Sequence, residues 1–270
     1  MDHIYGIERE DGSWGVRNHI LVLPASGCAA HVAQRIATGD PGVRCADNQY
    51  GCGPIGADLE LTFDTLLGLG RNPNVAAVLV VALGCETLDF NQLAHELAKR
   101  RQNVELLVIQ ENKGSTQSIA RGKEIITSMQ RRVQEFTYTR VDPSKLCLGL
   151  ECGGSDITSA LASNPCLGAC ADHLIGLGAT VILSETVELI GAEHTLKSRC
   201  VSSEVYEKLL NHIQFFESRA KASKSQIRDT QPTPGNKAGG LTTLEEKSLG
   251  CVLKSGRSQV VDVVDYAQEV

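Results

Sequence analysis

The sequence has 270 residues, a formal net charge of −6 and an isoelectric point near 5.7, with 42% hydrophobic, 21% charged and 4% aromatic residues. That composition fits one large or two modest globular domains and excludes a disordered or fibrous chain. The acidic balance, with no basic stretch to track a phosphate backbone, argues against a nucleic-acid partner.

Twenty-six glycines among few aromatics imply an aliphatic core with many tight turns, as in α/β proteins. Residues 1–10 carry charges and no apolar run, and the longest apolar run, 75–83, is too short to cross a bilayer. The expectation is a soluble, cytoplasmic chain with no membrane partner. Ten cysteines in such a chain read as core packing, metal ligands or reactive thiols rather than a disulfide framework.

In chain order, residues 20–23 form the first candidate buried strand. Leu59, Phe63, Leu66 and Leu67 then share one helix face. Residues 75–83 and 104–109 are further aliphatic strands, followed by a helical stripe from Ile119 through Ile126 and Met129 to Phe136. A polar break at 139–144, containing Pro143, divides the chain into an N-terminal α/β lobe, 1–143, and a C-terminal one, 144–270. Strands at 146–150 and 180–183 follow, then a helix with Val205, Leu209, Ile213 and Phe216 on one face. Residues 220–240, rich in Pro and Gly, read as a long loop. Strands apolar on both faces, alternating with helices, predict mainly parallel sheets with flanking helices, in two Rossmann-like or flavodoxin-like lobes.

In open parallel sheets ligands gather beyond the carboxyl ends of the strands. Here those ends carry Ser26 and Cys28; Cys85 and Glu86; Glu151, Cys152, Ser155 and Asp156; and Ser184, Glu185 and Glu188. Singly these read as turn and cap residues, and Ser155, Asp156 and Ser184 suit N-caps. As a set they read as a polar site. Cys52, Cys85 and Cys152 each sit beside glycine, so three thiolates could hold an iron ion or an iron–sulfur cluster. Cys28, Cys45, Cys147, Cys166, Cys170, Cys200 and Cys251 are assigned to packing. Thr242 with Glu245, or Thr243 with Glu246, has capping-box spacing. His194, near the Glu185–Glu188 turn, ranks first among seven histidines.

Several short motifs occur together and in order. They are Asp11 and Gly12 with Gly15, Val16, Arg17 and Asn18; Gly51, Cys52 and Gly53; and Arg71 to Val75. Leu83 to Glu86, Cys152 to Asp156, Asn164 and Pro165 with Leu167 and Gly168, Ser184 to Thr186 with Glu188, Gly191 to Glu193, and the stretch from Gly235 to Gly250 complete the set. From about Tyr5 onward this series resembles the large domain of the altronate/galactarate dehydratase family, which includes the large subunit of sulfolactate sulfo-lyase. Asn48 stands where members of the family often carry histidine.

The resemblance implies an iron-dependent hydro-lyase acting on a sugar acid, with a carbon–sulfur lyase or a truncated binding subunit as the alternatives. It places Cys52, Cys85 and Cys152 at a ferrous iron or cluster. It makes Glu86, Asp156, Glu185 and Lys247 candidates for acid, base and clamp roles, and Arg17, Asn18, Ser155, Lys237 and Thr242 candidates for substrate contact. It also implies a separate small subunit and a homo- or hetero-oligomer. The whole reading expects the loops bearing Cys52, Cys85, Cys152 and Glu185 to meet.

Overall fold

The structure, a computed structural model, describes residues 3–101 and 103–268. Its contacts divide the described residues into two compact units: His3–Val141 with residues 265–268, and Asp142–Val264.

The first unit contains β1 (Ile4–Glu8), β2 (Trp14–Gly15), β3 (His19–Pro24), α1 (Gly27–Ala37), β4 (Val43–Cys45), α2 (Ala57–Arg71), β5 (Val75–Ala82), α3 (Phe90–Ala98), β6 (Val104–Val108), α4 (Ser115–Val133) and β7 (Thr139–Val141). A parallel sheet of order β4-β3-β5-β6 forms its centre. All eight residues of β5 are buried, which explains its unbroken aliphatic sequence. On one face α1 and α4 pack Val32, Ile36, Ile126 and Met129 against the sheet. On the other α2 and α3 bring Leu66, Leu93 and Leu97. The chain reverses between β4 and β5, so the strand order changes direction between β3 and β5. That switch point opens a crevice beyond the ends of those two strands.

A small antiparallel sheet, β2-β1-β7, accompanies the parallel one. Two buried arginines fasten it. Arg9, 3% exposed, donates to the Pro73 carbonyl at 2.7 Å, the Asn18 side chain at 3.0 Å and the Arg17 carbonyl at 2.7 Å. Arg101, 1% exposed, donates to Asp11 at 2.8 Å and to the Arg71 carbonyl at 2.7 Å. The motif from Asp11 to Asn18 is therefore a structural clasp. Gly15 belongs to it because a Cβ there would lie 2.0 Å from the Pro73 carbonyl oxygen.

The second unit contains β8 (Cys147–Leu150), β9 (Thr180–Leu183), α5 (Asn164–Gly176), α6 (Ser203–Ala222), α7 (Ile227–Thr230), α8 (Pro234–Ala238) and α9 (Leu244–Val252). β8 and β9 pair in parallel. Its core joins Leu189, Ile190 and Leu196 to Leu209 and Ile213 of α6 and to Leu244 and Val252 of α9. Both units are thus α/β as expected, the second on a two-stranded parallel sheet among the described residues.

Two local readings change. Residues 139–141 form β7, an edge strand paired with β1 from Ile4 to Gly6, where the polar sequence suggested a break. Residues 220–240 are not one loop. α6 runs to Ala222, and α7 and α8 follow, with a cis peptide at Gln231–Pro232 between them. A Thr233/Asn236 capping box starts α8, and this reciprocal cap offsets the helix-breaking glycines around it. Among the described residues no helix is long and apolar enough to cross a membrane.

α5 packs closely on the turn Leu253–Ser255. A Cβ on Gly168 would lie 2.1 Å from the Leu253 carbonyl oxygen, so only glycine permits that approach. Asp172 of α5 accepts hydrogen bonds at 2.9 Å from the backbone N–H groups of Arg257 and Ser258, securing the next segment. Gly168→Ala is expected to destabilise the second unit by about 2 kcal/mol, the scale of overpacking, in a chemical-denaturation curve.

In the first unit, burial disfavours ionisation of Asp11. Hydrogen bonds from Ser13 and Arg101, with the Arg101 charge, outweigh it and bring the carboxyl from 3.8 down to about 2. A depressed carboxylate stabilises the fold above its unfolded value, and that contribution disappears as pH falls through the folded one. The urea midpoint should therefore drop between pH 3.8 and about 2, and Asp11→Asn should weaken that dependence.

Candidate functional site

Each unit gathers part of the expected residue set. In the first, the switch-point crevice is a small depression lined by Asn48, Tyr50, Cys52, Glu86 and Thr87 among others. Asn48 is buried there. Its Nδ2 donates to the Pro24 carbonyl at 3.1 Å and its Oδ1 accepts from the Tyr50 N–H at 3.1 Å, which pins the loop before Cys52. The Thr87 hydroxyl donates to the Cys52 carbonyl at 2.9 Å.

Glu86 is fully engaged by this turn. It accepts from the N–H groups of Leu83, Gly84 and Cys85 and from the Ser26 hydroxyl at 3.0 Å. Burial would raise its pKa, but these hydrogen bonds hold it below the usual carboxylate value. The side chain stitches the end of β5 to the start of α1. Cys52 and Cys85 are exposed, as is Arg17. Asn18 uses both polar ends internally, accepting from Arg9 and donating to the Val133 carbonyl at 2.9 Å.

The second unit holds a denser cluster at the ends of β8 and β9. The turn after β8 presents Cys152, whose N–H donates to Glu185 Oε2 at 2.6 Å and whose Sγ lies 3.4 Å from Ser155 Oγ. The turn after β9 presents Glu185 with φ 61°, a left-handed conformation costly for a residue bearing a side chain, followed by Glu188. The Cys251 thiol, from α9, donates to Glu188 Oε2 at 2.9 Å. Lys254 Nζ, only 2% exposed as a residue, lies 3.5 Å from Glu188 Oε2 and 3.8 Å from Glu185 Oε2. Lys247 Nζ lies 3.6 Å from Glu188 Oε1 and donates to Gln231 at 3.0 Å.

The two carboxyls are pushed in opposite directions. Burial, then the nearby Glu151 and Glu188, raise Glu185 despite the Cys152 N–H. Burial also opposes ionisation of Glu188, but the Cys251 and Cys152 thiols and the Lys254 and Lys247 charges outweigh it and lower its pKa. Desolvation weakens the Lys254 cation, yet the surrounding thiols and carboxylates raise its pKa overall. Burial raises the thiols of Cys152 and Cys251, and the Glu188 carboxylate raises them further.

Cys152 Sγ, Glu188 and Cys251 Sγ place three potential metal-ligand atoms within 4.8 Å of one another. Two sulfurs and one carboxylate oxygen suit a borderline-soft divalent ion such as ferrous iron, so the donor set fits the metal the family resemblance implies. The assignment of Cys251 to apolar packing is corrected: its thiol is buried against a carboxylate. Sequence reasoning also passed over Lys254, although a lysine following Gly250, Cys251, Val252 and Leu253 is an available signal for a buried cation.

The remaining expected residues surround this cluster unevenly. Asn236 of α8 donates to the Ser155 carbonyl at 2.9 Å, and the Ile157 N–H donates to Gly239, so the stretch after Pro234 packs on the β8 turn. Asp156 caps the following turn, accepting from Thr158 Oγ1 at 2.7 Å and the Ser159 N–H at 2.8 Å. Thr243 caps α9, and Thr242 donates to Glu246 at 2.7 Å. Lys237 and His194 are exposed.

Sequence comparison agrees with this division. The signature of the D-galactarate dehydratase/altronate hydrolase second domain matches residues 6–134, and that of the D-galactarate/altronate dehydratase C-terminal domain matches 143–270. The chain belongs to the altronate/galactarate dehydratase family. It is 36% identical to altronate dehydratase of Bacillus subtilis over 97% of this chain and 54% of that protein. It is also 36% identical, over 97% of this chain and 67% of the relative, to (2R)-sulfolactate sulfo-lyase subunit beta of Chromohalobacter salexigens. Galactarate dehydratase (L-threo-forming) of Escherichia coli is 33% identical over 76% of this chain. The chain spans about half the length of the altronate dehydratases it matches.

Lys254→Met is expected to destabilise the second unit by about 3 kcal/mol, the scale for breaking a buried ion pair, because Glu185 and Glu188 lose a shared cation. Thermal unfolding measures the change, and Lys254→Arg should recover part of it.

Proposed function

We propose that this chain is the catalytic portion of a hydro-lyase that dehydrates a sugar acid such as altronate or galactarate to a 2-keto-3-deoxy acid, working with a separate small subunit. One observation carries the reading: in a chain of this family, Glu185 is held in a strained conformation beside a buried lysine. That pairing suits removal of a proton α to a carboxylate. Glu185 takes the α-proton. Lys254, with Lys247 nearby, supplies fixed positive charge for the enolate that develops on the substrate carboxylate. Loss of the β-hydroxyl gives an enol, which becomes the 2-keto acid by proton return at the β-carbon. In this reading Ser155 and Lys237 of α8 contact the polyol and its distal carboxylate. Iron bound beside Cys152 would supply a Lewis acid for the leaving hydroxyl.

A second reading, a carbon–sulfur lyase acting on a sulfonated hydroxy acid, draws support from the sulfo-lyase beta subunit. This chain covers 67% of that relative against 54% of the altronate dehydratases. The same α-proton removal would then expel sulfite in place of hydroxide.

The test is an anaerobic assay with ferrous iron and the candidate small subunit, measuring 2-keto acid from a sugar-acid panel and sulfite from sulfolactate. The expected result is 2-keto acid release that falls at least about 100-fold in kcat for Glu185→Gln, the scale of general-base loss, with a smaller change in KM. Sulfite release alone would select the second reading, and no product in either arm would remove both.

A further inference from the structure

We infer that Cys152, Glu188 and Cys251 together form a mononuclear divalent-metal site within the second unit. The inference rests on the lyase reading for its biological use, but its geometry stands on the three ligand atoms alone. They lie within 4.8 Å of one another, a separation that small side-chain shifts bring to the edge of a tetrahedron about a metal with roughly 2.3 Å metal–sulfur bonds. The ligands come from three separate segments: the turn after β8, the turn after β9, and α9. Hydrogen bonds tie these segments to one another: the Cys152 N–H donates to Glu185 in the turn after β9, and the Ser248 hydroxyl ties α9 to the Ile190 carbonyl at 2.8 Å. The backbones that carry the three ligands are thus held together before any metal binds.

Thiol ligands bind a metal as thiolates and release their protons to solvent, so the two sulfurs would offset the two positive charges of the ion beside Lys254. Three protein ligands leave a fourth position for water or substrate, the hallmark of a catalytic rather than a structural metal site. Cys152 is part-exposed and Cys251 is buried, so access to that position would lie on the Cys152 side.

The experiment is an anaerobic titration of the 270-residue chain with cobalt(II), read by the sulfur-to-cobalt charge-transfer absorption and by elemental analysis. One cobalt per chain with a thiolate band is expected. Cys152→Ser and Cys251→Ser should each diminish the band and weaken binding at least about tenfold, given the thiolate's share of such affinity. Cys52→Ser and Cys85→Ser should leave both unchanged. Where a variant fails to fold by circular dichroism, alkylation of the unmodified chain replaces it: cobalt should protect Cys152, with Cys52 and Cys85 still modified. A band lost in Cys52→Ser or Cys85→Ser, cobalt protecting Cys52 and Cys85 in place of Cys152, or no thiolate band at all would overturn the site. These readouts need no turnover, so an active enzyme with its metal elsewhere is distinguishable from a metal-binding chain that is no lyase.

Discussion

The second unit depends on a lysine ammonium buried among carboxylates. Lys254 is almost wholly removed from water, and an unpaired cation there would cost several kcal/mol. Glu188 and Glu185 compensate it, and in doing so fix where the turn after β9 must lie. Because Glu188 also accepts from the Cys251 thiol, one carboxylate registers α9, the turn after α9 and the β9 end against one another. The tight seating of α5 on the turn containing Lys254 then determines how deeply the cation is placed.

The first unit solves a similar problem with different groups. Arg9 and Arg101 are buried, and backbone carbonyls from distant turns absorb most of their donors. Glu86 performs the converse task, saturating three backbone N–H groups where β5 ends. Several residues of the motifs that carry the resemblance are thus explained by architecture. Asp11, Asn18, Asn74 and Gly15 hold the ribbon to the parallel sheet, and none requires a ligand to account for its position. The second unit differs, setting a part-exposed thiol and a strained glutamate beside two lysines around a second carboxylate.

The long aliphatic runs were legible because burial on both faces of a parallel sheet leaves one kind of sequence, and β3 and β5 follow it. The stripes of α2, α4 and α6 were legible for the same reason at helical period. β7 and the α7–α8 region were not. The first is an edge strand whose exposed residues carry no alternation, and the second consists of helices of four and five residues that depend on caps and neighbours rather than periodicity. At the site, Cys152, Ser155, Glu185 and Lys247 were visible as polar residues at strand ends and near a capped helix start. Glu188 was visible only as a turn residue. Cys251 and Lys254 looked like parts of an apolar segment, because a one-dimensional pattern marks burial but not the partner that makes burial of a charge tolerable.

By itself, the sequence determined the α/β class and, through its ordered motifs, the family. These are properties of local pattern and of ordered motifs, which the chain carries wherever it folds. Tertiary structure decided which cysteines share a neighbourhood, which glutamate accepts from a thiol and which lysine is sealed from water. Those facts arise from contacts between residues far apart in the chain, such as Cys152 with Glu185 and Glu188 with Cys251. Spacing along the chain cannot encode such contacts, because the folds of the intervening segments set the distance between their ends.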